Sequence, residues 1–352
     1  MKVNNLENPL YRYKKLIFIF VIILLTVIVG IANINDIKKA FDEVFLINIY
    51  TLLALFALVI FHLFFDSLIL YYAIDDHSLD RKKAFMINMA GNFFSDITPF
   101  YIGSYPSRFY YLYKENVPVS KTLSAFTVRG LSYQIVINII AIFSFVLAKE
   151  KMASLGAYAL LFYFGLLFNF STGLIIFLVS VSKVINNLAV KIVNKLALKL
   201  NFIKKREEEV LEAIKNYYIN SRRVYNDFPY ASKIFILMLG KTLIMYVMPL
   251  VVFVGLGIDV KPIFWDIIIF SSLIAIIASV FPSPGGMASS EAVFILLYSL
   301  LIPTTSTVQA GMLIWRMFSF YIIVLIGLIC TLILQTKEPK INREKRIVNH
   351  KK

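Results

Sequence analysis

A stretch rich in proline and glycine, Phe281-Pro-Ser-Pro-Gly-Gly-Met-Ala-Ser-Ser-Glu291, interrupts a long apolar segment. Residues 263–280 before it carry one charge, and residues 292–302 after it carry none. The stretch cannot continue a helix, because proline lacks an N–H donor and glycine favours other backbone angles. In hydrocarbon, broken backbone persists only where protein or a water-filled cavity covers it, and a carboxylate there needs compensation. The stretch therefore predicts a functional site at a helix break that carries Glu291.

The composition is typical of a polytopic membrane protein. Of the 352 residues 59% are hydrophobic, and the mean hydropathy is +0.76. The formal net charge of +15 indicates contact with anionic lipid headgroups at the cytoplasmic face rather than nucleic acid, since no base-reading module is present. The single cysteine, Cys330, excludes an intramolecular disulfide and a cysteine-based metal site, and the three histidines are scattered. We expect no metal and no cofactor.

The apolar runs predict an all-α protein with six full transmembrane helices. These predicted spans are residues 16–32, 46–74, 122–148, 153–181, 232–255 and 308–334. The run at 16–32 lacks a convincing cleavage site and is therefore predicted to be a first span rather than a signal peptide. Two further apolar segments, 84–113 and 262–301, are broken by proline and glycine. The halves of 84–113 are too short to span, and both segments are predicted to be re-entrant helical hairpins.

The polar segment 182–230 is predicted to be a cytoplasmic helical insert. In its first part, apolar residues such as Val184, Leu188 and Ile192 recur at helical spacing, while Lys191 and Lys195 lie elsewhere on the helix. A basic amphipathic helix of this kind lies on an anionic membrane surface. Residues 206–225 are predicted to continue as a helix with one apolar face.

The distribution of basic residues predicts the orientation. With the N-terminus inside, the predicted cytoplasmic segments hold 27 of the 36 lysines and arginines, and the opposite side holds 5. The remaining cations lie at membrane depth. This asymmetry predicts cytoplasmic N- and C-termini in a multi-pass protein of the cell (plasma) membrane, and it requires each broken segment to begin and end on one side.

Two parts of the chain follow the same plan in opposite orientation. Residues 46–148 and 232–334 each read as span, broken hairpin, span. Arg129 lies 30 residues after Pro99, and Arg316 lies 32 residues after Pro284. This pattern predicts the inverted repeat of secondary transporters, with a site at the repeat interface. We therefore predict one transmembrane domain, 1–334, followed by a basic cytoplasmic tail, 335–352; chance similarity of two apolar units is the alternative.

Both breaks carry a family resemblance. Thr98-Pro99-Phe-Tyr-Ile-Gly103-Ser-Tyr-Pro-Ser-Arg108 resembles a Thr-Pro…Gly-Gly-Glu-Pro-x-Arg motif. Pro282-Ser-Pro-Gly-Gly-Met-Ala-Ser-Ser-Glu291 resembles Pro-x-Pro-Gly-Gly-x-Gly-x-x-Glu. Both motifs are those of the membrane region of lysylphosphatidylglycerol synthase, a flippase-like family that also occurs as stand-alone membrane proteins. The resemblance covers roughly residues 16–334. It implies the transmembrane fold of this flippase-like family and a role in moving lipid.

The chain departs from these motifs at three positions. Ser104 and Tyr105 stand where the first motif has glycine and glutamate, and Ala288 stands where the second has glycine. The soluble aminoacyl-transferase domain of the lysyl-lipid enzymes is not among the 352 residues, so we do not expect lysyl transfer.

The candidate binding residues surround the two breaks. Arg108, Arg129 and Arg316 are expected to form a cationic pocket for a lipid phosphate, because guanidinium binds phosphate through two donors at once. The alternative is that these arginines form structural ion pairs with Glu291, Asp96 and Asp66, which would hold the hairpins in place. Gly285 and Gly286 would offer backbone N–H groups to an anion, or form only a tight turn. The remaining candidate binding residues are Glu291, Thr98, Pro99, Gly103 and Tyr105.

A second group of buried titratable residues suggests a proton relay or ion pairs. His62 and Asp66 are four apart on one helical face. Lys241 is expected to pair with an acid, and Asp96 is expected to pair with an arginine or take part in the relay.

The sequence thus predicts translocation of a phospholipid or lipid-linked headgroup between leaflets by alternating access. No ATP-binding motif such as Gly-x4-Gly-Lys-Ser/Thr occurs, so a gradient or mass action would drive it. A small-solute or ion transporter of the same fold is the first alternative. A membrane-embedded lipid-modifying enzyme is the second, and it is disfavoured because histidine and acidic clusters are too few.

Overall fold

The computed structural model describes residues 42–45, 47–76, 79–147, 149, 156, 159–197, 207–281 and 283–336. The predicted span 16–32 and the basic tail beyond residue 336 lie outside these described residues. Within them the protein is helical, with no β-strand. The principal α-helices, in chain order, are α1 (Ile49–Ile74), α2 (Arg81–Asp96), α3 (Ser104–Lys114), α4 (Val119–Leu147), α5 (Ala159–Val181), α6 (Lys183–Ala197), α7 (Glu207–Asn226), α8 (Phe228–Gly255), α9 (Phe264–Ala278), α10 (Ser289–Tyr298), α11 (Thr305–Arg316) and α12 (Ile322–Thr336). A π-helical segment, Met317–Tyr321, joins α11 to α12.

Six helical segments in the described part of the chain are long and apolar enough to cross a membrane. They are α1, α4, α5, α8, Lys261–Ala278 (which contains α9) and Thr305–Thr336 (which contains α11 and α12). The protein is therefore a multi-pass membrane protein. Five of these helices correspond to predicted spans. The sixth, Lys261–Ala278, is the first half of the second broken segment, and its length alone suffices for a crossing.

The first break separates α2 from α3. Thr98 is extended, as expected for a residue before proline, and a 3₁₀ turn, Pro99–Tyr101, follows. The Thr98 hydroxyl donates to the Phe94 carbonyl at 2.7 Å and accepts from the Gly103 N–H at 2.8 Å. A Cβ on Gly103 would lie 2.3 Å from that same Phe94 carbonyl oxygen. Thr98 and Gly103 therefore close the turn that reverses the chain.

The second break, between α9 and α10, touches the first. Gly285 and Gly286 in its 3₁₀ turn have φ of +58° and +66°. Residues with a side chain rarely adopt these backbone angles. A Cβ on Gly285 would lie 3.0 Å from the Asp96 carbonyl oxygen, and one on Gly286 would lie 2.6 Å from the Tyr101 hydroxyl. The glycines therefore allow the two turns to meet inside the bundle.

Helix packing places this meeting point in the interior. Helix α1 lies along α8, α2 lies along α12, and α9 packs on α4. The contact between α2 and α12 is close at Gly327, where a Cβ would lie 2.6 Å from the Met89 carbonyl oxygen. Helix α7 packs on α4 and also contacts α6. Val184, Leu188 and Ile192 on α6 are exposed, in keeping with the predicted amphipathic helix.

The close approach of α2 and α12 leads to the first testable prediction. Gly327→Leu forces the backbones of α2 and α12 apart. Overpacking of this kind lowers the free energy of unfolding by about 1–3 kcal/mol. We expect a lower midpoint of thermal unfolding for the purified protein in detergent. Thr336→Leu enlarges an exposed residue of the same helix and serves as the matched control. Equal midpoints for the two variants would contradict the packing described here.

Candidate functional site: two buried charge clusters and a cavity

Asp66 is the centre of the first buried cluster, which we call the Asp66 cluster. Its carboxylate is fully buried in α1 and accepts four hydrogen bonds. One oxygen, Oδ1, accepts from Arg129 of α4 at 2.7 Å and from Lys241 of α8 at 2.5 Å. The other, Oδ2, accepts from Asn88 at 2.6 Å and Asn92 at 3.0 Å, both on α2. One carboxylate thus connects three helices to its own.

Arg108 joins this cluster through neutral groups. Its Nε donates to Asn88 Oδ1 at 3.1 Å, and Arg129 donates to that same oxygen at 3.0 Å. Its other nitrogens donate to Asn92 Oδ1 at 2.6 Å and to the hydroxyl of Ser104. A Cβ on residue 91 would lie 2.4 Å from Arg108 Nε, so Gly91 makes room for the side chain. No acid lies within ion-pair distance of Arg108 in the described part of the chain.

The charges of the Asp66 cluster do not cancel. Three cations, Arg108, Arg129 and Lys241, surround one carboxylate, so the cluster carries excess positive charge. His62 is buried nearby, with its Nδ1 atom 3.2 Å from the Lys241 carbonyl oxygen. The described contacts include no direct hydrogen bond between His62 and Asp66. A relay between these two side chains would therefore have to pass through other groups.

The second cluster, the Glu291 cluster, ties the second break to α11. Arg316 Nε donates to Glu291 Oε1 at 2.5 Å. Arg316 Nη2 donates to the Gly286 carbonyl at 3.2 Å and to the hydroxyl of Ser290. All three side chains are buried. The guanidinium thus bridges the turn and the first residues of α10, which orients both against α11.

The structure divides the predicted arginine pocket in two. Arg108 and Arg129 share Asn88 in the Asp66 cluster, whereas Arg316 belongs to the Glu291 cluster. The expectation that Gly286 offers a free N–H to an anion is wrong for this conformation. That N–H donates to the Ser283 carbonyl at 3.2 Å, because the chain turns tightly there.

The other candidates of the first motif lie in or near its turn. Thr98, Pro99 and Gly103 build the turn itself. Tyr105 is 42% exposed, and its ring packs against Phe126 with 5.0 Å between ring centroids. Tyr105 therefore lies on the surface of α3 rather than among the hydrogen-bonded groups of the Asp66 cluster.

A cavity of about 250 Å³ lies beside the meeting point of the two breaks. It is bounded by the turns, by α4, α8 and α9, and by the junction of α11 with the π-helical segment. The polar residues that line it are Asp96, Tyr101, Tyr133, Tyr246, Ser271, Ser279, Ser290, Arg316 and Ser319. The Ser319 hydroxyl is buried and has no hydrogen-bond partner among the described residues. The described residues form no metal-binding group of three or more histidine, cysteine, aspartate or glutamate side chains.

Sequence reasoning missed the two asparagines of the Asp66 cluster. Asn88 and Asn92 are four apart in the apolar first half of a broken segment, so they share one helical face. Two carboxamides at that spacing were the available signal, because buried amides need partners. Ser290 and Ser319 gave no such signal, since single serines are common in membrane helices.

The fold and the clusters define a multi-pass helical membrane protein with buried charges at its helix breaks. The chain belongs to the family of the lysylphosphatidylglycerol synthase TM region, whose sequence model matches residues 15–327. Comparison with curated proteins and with solved structures gave no match.

The Asp66 cluster leads to the second prediction. Asp66→Asn leaves Arg129 and Lys241 buried without an anion, and breaking a buried pair in this way costs about 3–5 kcal/mol. We expect a large loss of thermal stability in detergent. Lys241→Met, added to Asp66→Asn, removes one of the two cations that lost their anion. We therefore expect Lys241→Met to lower thermal stability less in the Asp66→Asn background than in the wild-type protein. Additive effects in this double-mutant cycle would contradict the cluster.

Proposed function

We propose that this protein moves a phospholipid or a lipid-linked headgroup between membrane leaflets. The observation that carries the proposal is the contact between the two helix breaks, with a polar cavity beside it that includes Arg316. Polar groups and broken backbone are costly inside a membrane, and they are retained there where they serve a pathway. Membership of the lysylphosphatidylglycerol synthase TM region family supports a lipid as the cargo.

The cavity suits the polar part of such a lipid. Arg316 can offer a phosphate two parallel N–H donors if the phosphate displaces Glu291, and Ser290 provides a hydroxyl beside it. A volume of about 250 Å³ is below the roughly 300–1,000 Å³ of sites that enclose drug-sized ligands. We infer that a headgroup enters the cavity while the acyl chains stay in the surrounding lipid.

We further propose that residues 46–148 and 232–334 are inverted repeats with re-entrant hairpins, in a plasma-membrane protein with cytoplasmic termini. The helix contacts support this arrangement: α1 lies along α8, and the contact of α2 with α12 has its counterpart in the contact of α9 with α4. Rocking of one repeat against the other would expose the site to each leaflet in turn.

The small volume favours one second candidate, a small anionic solute. Such a ligand would use Arg316 in the same way and would need no opening toward lipid. Its transport is separated from lipid movement by the experiment below.

The test is leaflet exchange of fluorescent phospholipids in proteoliposomes. We expect the wild-type protein to accelerate exchange of an anionic or zwitterionic lipid, and Arg316→Ala to return it to the rate of protein-free vesicles, because the phosphate then has no partner. Glu291→Gln should also impair exchange, because Glu291 holds Arg316 in place. Glu208→Gln and Arg222→Ala, which change exposed residues of α7, are the matched controls.

Folding of each variant is checked by size-exclusion chromatography before reconstitution. Unchanged exchange in both site variants would place the activity elsewhere in the molecule. Absence of exchange by folded wild-type protein, across anionic, zwitterionic and polyprenyl lipids, would overturn the lipid proposal. Uptake of radiolabelled phosphate in the same vesicles would then support the small-solute candidate.

A further inference from the structure

Among the described residues, Asp96 is the one acid that lines the cavity, and its carboxylate has no hydrogen-bond or ion-pair partner there. It is the last residue of α2, directly before the first break. No described residue donates a hydrogen bond to this carboxylate, and no described cation lies within ion-pair distance of it. Asp66 and Glu291, in contrast, are each paired with an arginine. Asp96 is partly buried, and withdrawing a carboxylate from water without a partner is costly in free energy.

Two helix C-termini reach the cavity that Asp96 lines. Helix α2 ends at Asp96 itself, and α9 ends at Ala278; Ala278 and the following Ser279 both line the cavity. The C-terminus of a helix carries partial negative charge on its free carbonyl groups. The carbonyls of the last turn of α9 accept hydrogen bonds from Ser279, Val280 and Phe281, so the Asp96 carboxylate is the main source of negative charge that attracts a cation to this side of the cavity.

Among the described residues, no group that faces the cavity forms an ion pair with Asp96. Arg316 of α11 is engaged by Glu291, which lies behind it on α10. The phenols of Tyr101, Tyr133 and Tyr246 come from the first turn, α4 and α8. Helices α9 and α10 contribute serine hydroxyls, which are neutral oxygen ligands. The Ser319 hydroxyl, in the π-helical segment, has no partner in the part of the chain that the structure describes, and it offers one more such oxygen.

We propose that Asp96 binds a monovalent coupling cation, either a proton or Na⁺. Either one would neutralise the carboxylate, and Na⁺ would also use hydroxyl and carbonyl oxygens such as those at this end of the cavity. This inference deepens the proposed function, because it names what fills the acidic side of the same cavity. A bound cation removes the repulsion between Asp96 and a phosphate at Arg316, so cation and headgroup would bind cooperatively.

Tryptophan fluorescence tests this proposal without any transport assay. The chain has two tryptophans: Trp315 lines the cavity, and Trp265 is 69% exposed. Trp265→Phe leaves Trp315 as a single reporter in purified protein in lipid nanodiscs. Its emission is followed as NaCl replaces choline chloride at constant ionic strength, and separately as pH is varied from about 5 to about 9 in choline chloride.

We expect a saturable response to Na⁺, to protons or to both, and the two titrations distinguish the two cations. Asp96→Asn in the same background should abolish that response or weaken the apparent affinity at least about tenfold. Asp259→Asn, which changes an exposed acid, should leave it intact. No response in folded protein, or a response that persists in Asp96→Asn, would overturn the proposal. Because the readout is independent of lipid exchange, it can fail or succeed separately from the proposed function.

Discussion

A charge inside an apolar bundle has to be neutralised or hydrogen-bonded by protein, and the structure is arranged around this constraint. The Asp66 carboxylate accepts hydrogen bonds from four donors on three neighbouring helices. The Arg108 guanidinium donates hydrogen bonds to the two asparagines of α2 and to the Ser104 hydroxyl. These bonds fix α1, α2, α3, α4 and α8 relative to one another. The Asp66 cluster therefore anchors the first four helices to one another and to α8.

The second constraint is the broken backbone. At the first break the Thr98 hydroxyl satisfies the Phe94 carbonyl and the Gly103 N–H. At the second, Arg316 and Ser290 both donate to the Gly286 carbonyl. Gly285 and Gly286 then bring the second turn against the first. The cavity lies beside these turns. Within the described part of the chain, Asp96 and Ser319 line it without a hydrogen-bond partner, and they are therefore the groups available to the proposed ligand.

Hydropathy and helix-breaking residues predict much of this fold. The observed helices α1, α4, α5, α8 and the continuous Thr305–Thr336 lie within a few residues of predicted spans, because each is a long apolar run. Both breaks fall where proline and glycine predict them. Ion pairing of the three arginines with Asp66, Asp96 and Glu291 is one of the two predicted alternatives, and the structure confirms it for Arg129 with Asp66 and for Arg316 with Glu291. Which acid each arginine meets depends on helix packing, because the partners lie on different helices. The division of the arginines between two clusters, and the π-helical segment that carries Ser319, depend on packing in the same way.

Transport as proposed requires that the polar cavity beside the two breaks become accessible to water within the membrane. The most direct measurement of this access is the reactivity of a single cysteine at residue 319 toward a membrane-impermeant thiol reagent. Cys330→Ala removes the chain's only cysteine, and Ser319→Cys then places one in the cavity. Leu325→Cys, at a 57% exposed position of α12, is the lipid-facing reference. We predict faster modification of Ser319→Cys in membranes. Equal or slower modification, with full reactivity after denaturation, would contradict water access to the cavity at this position.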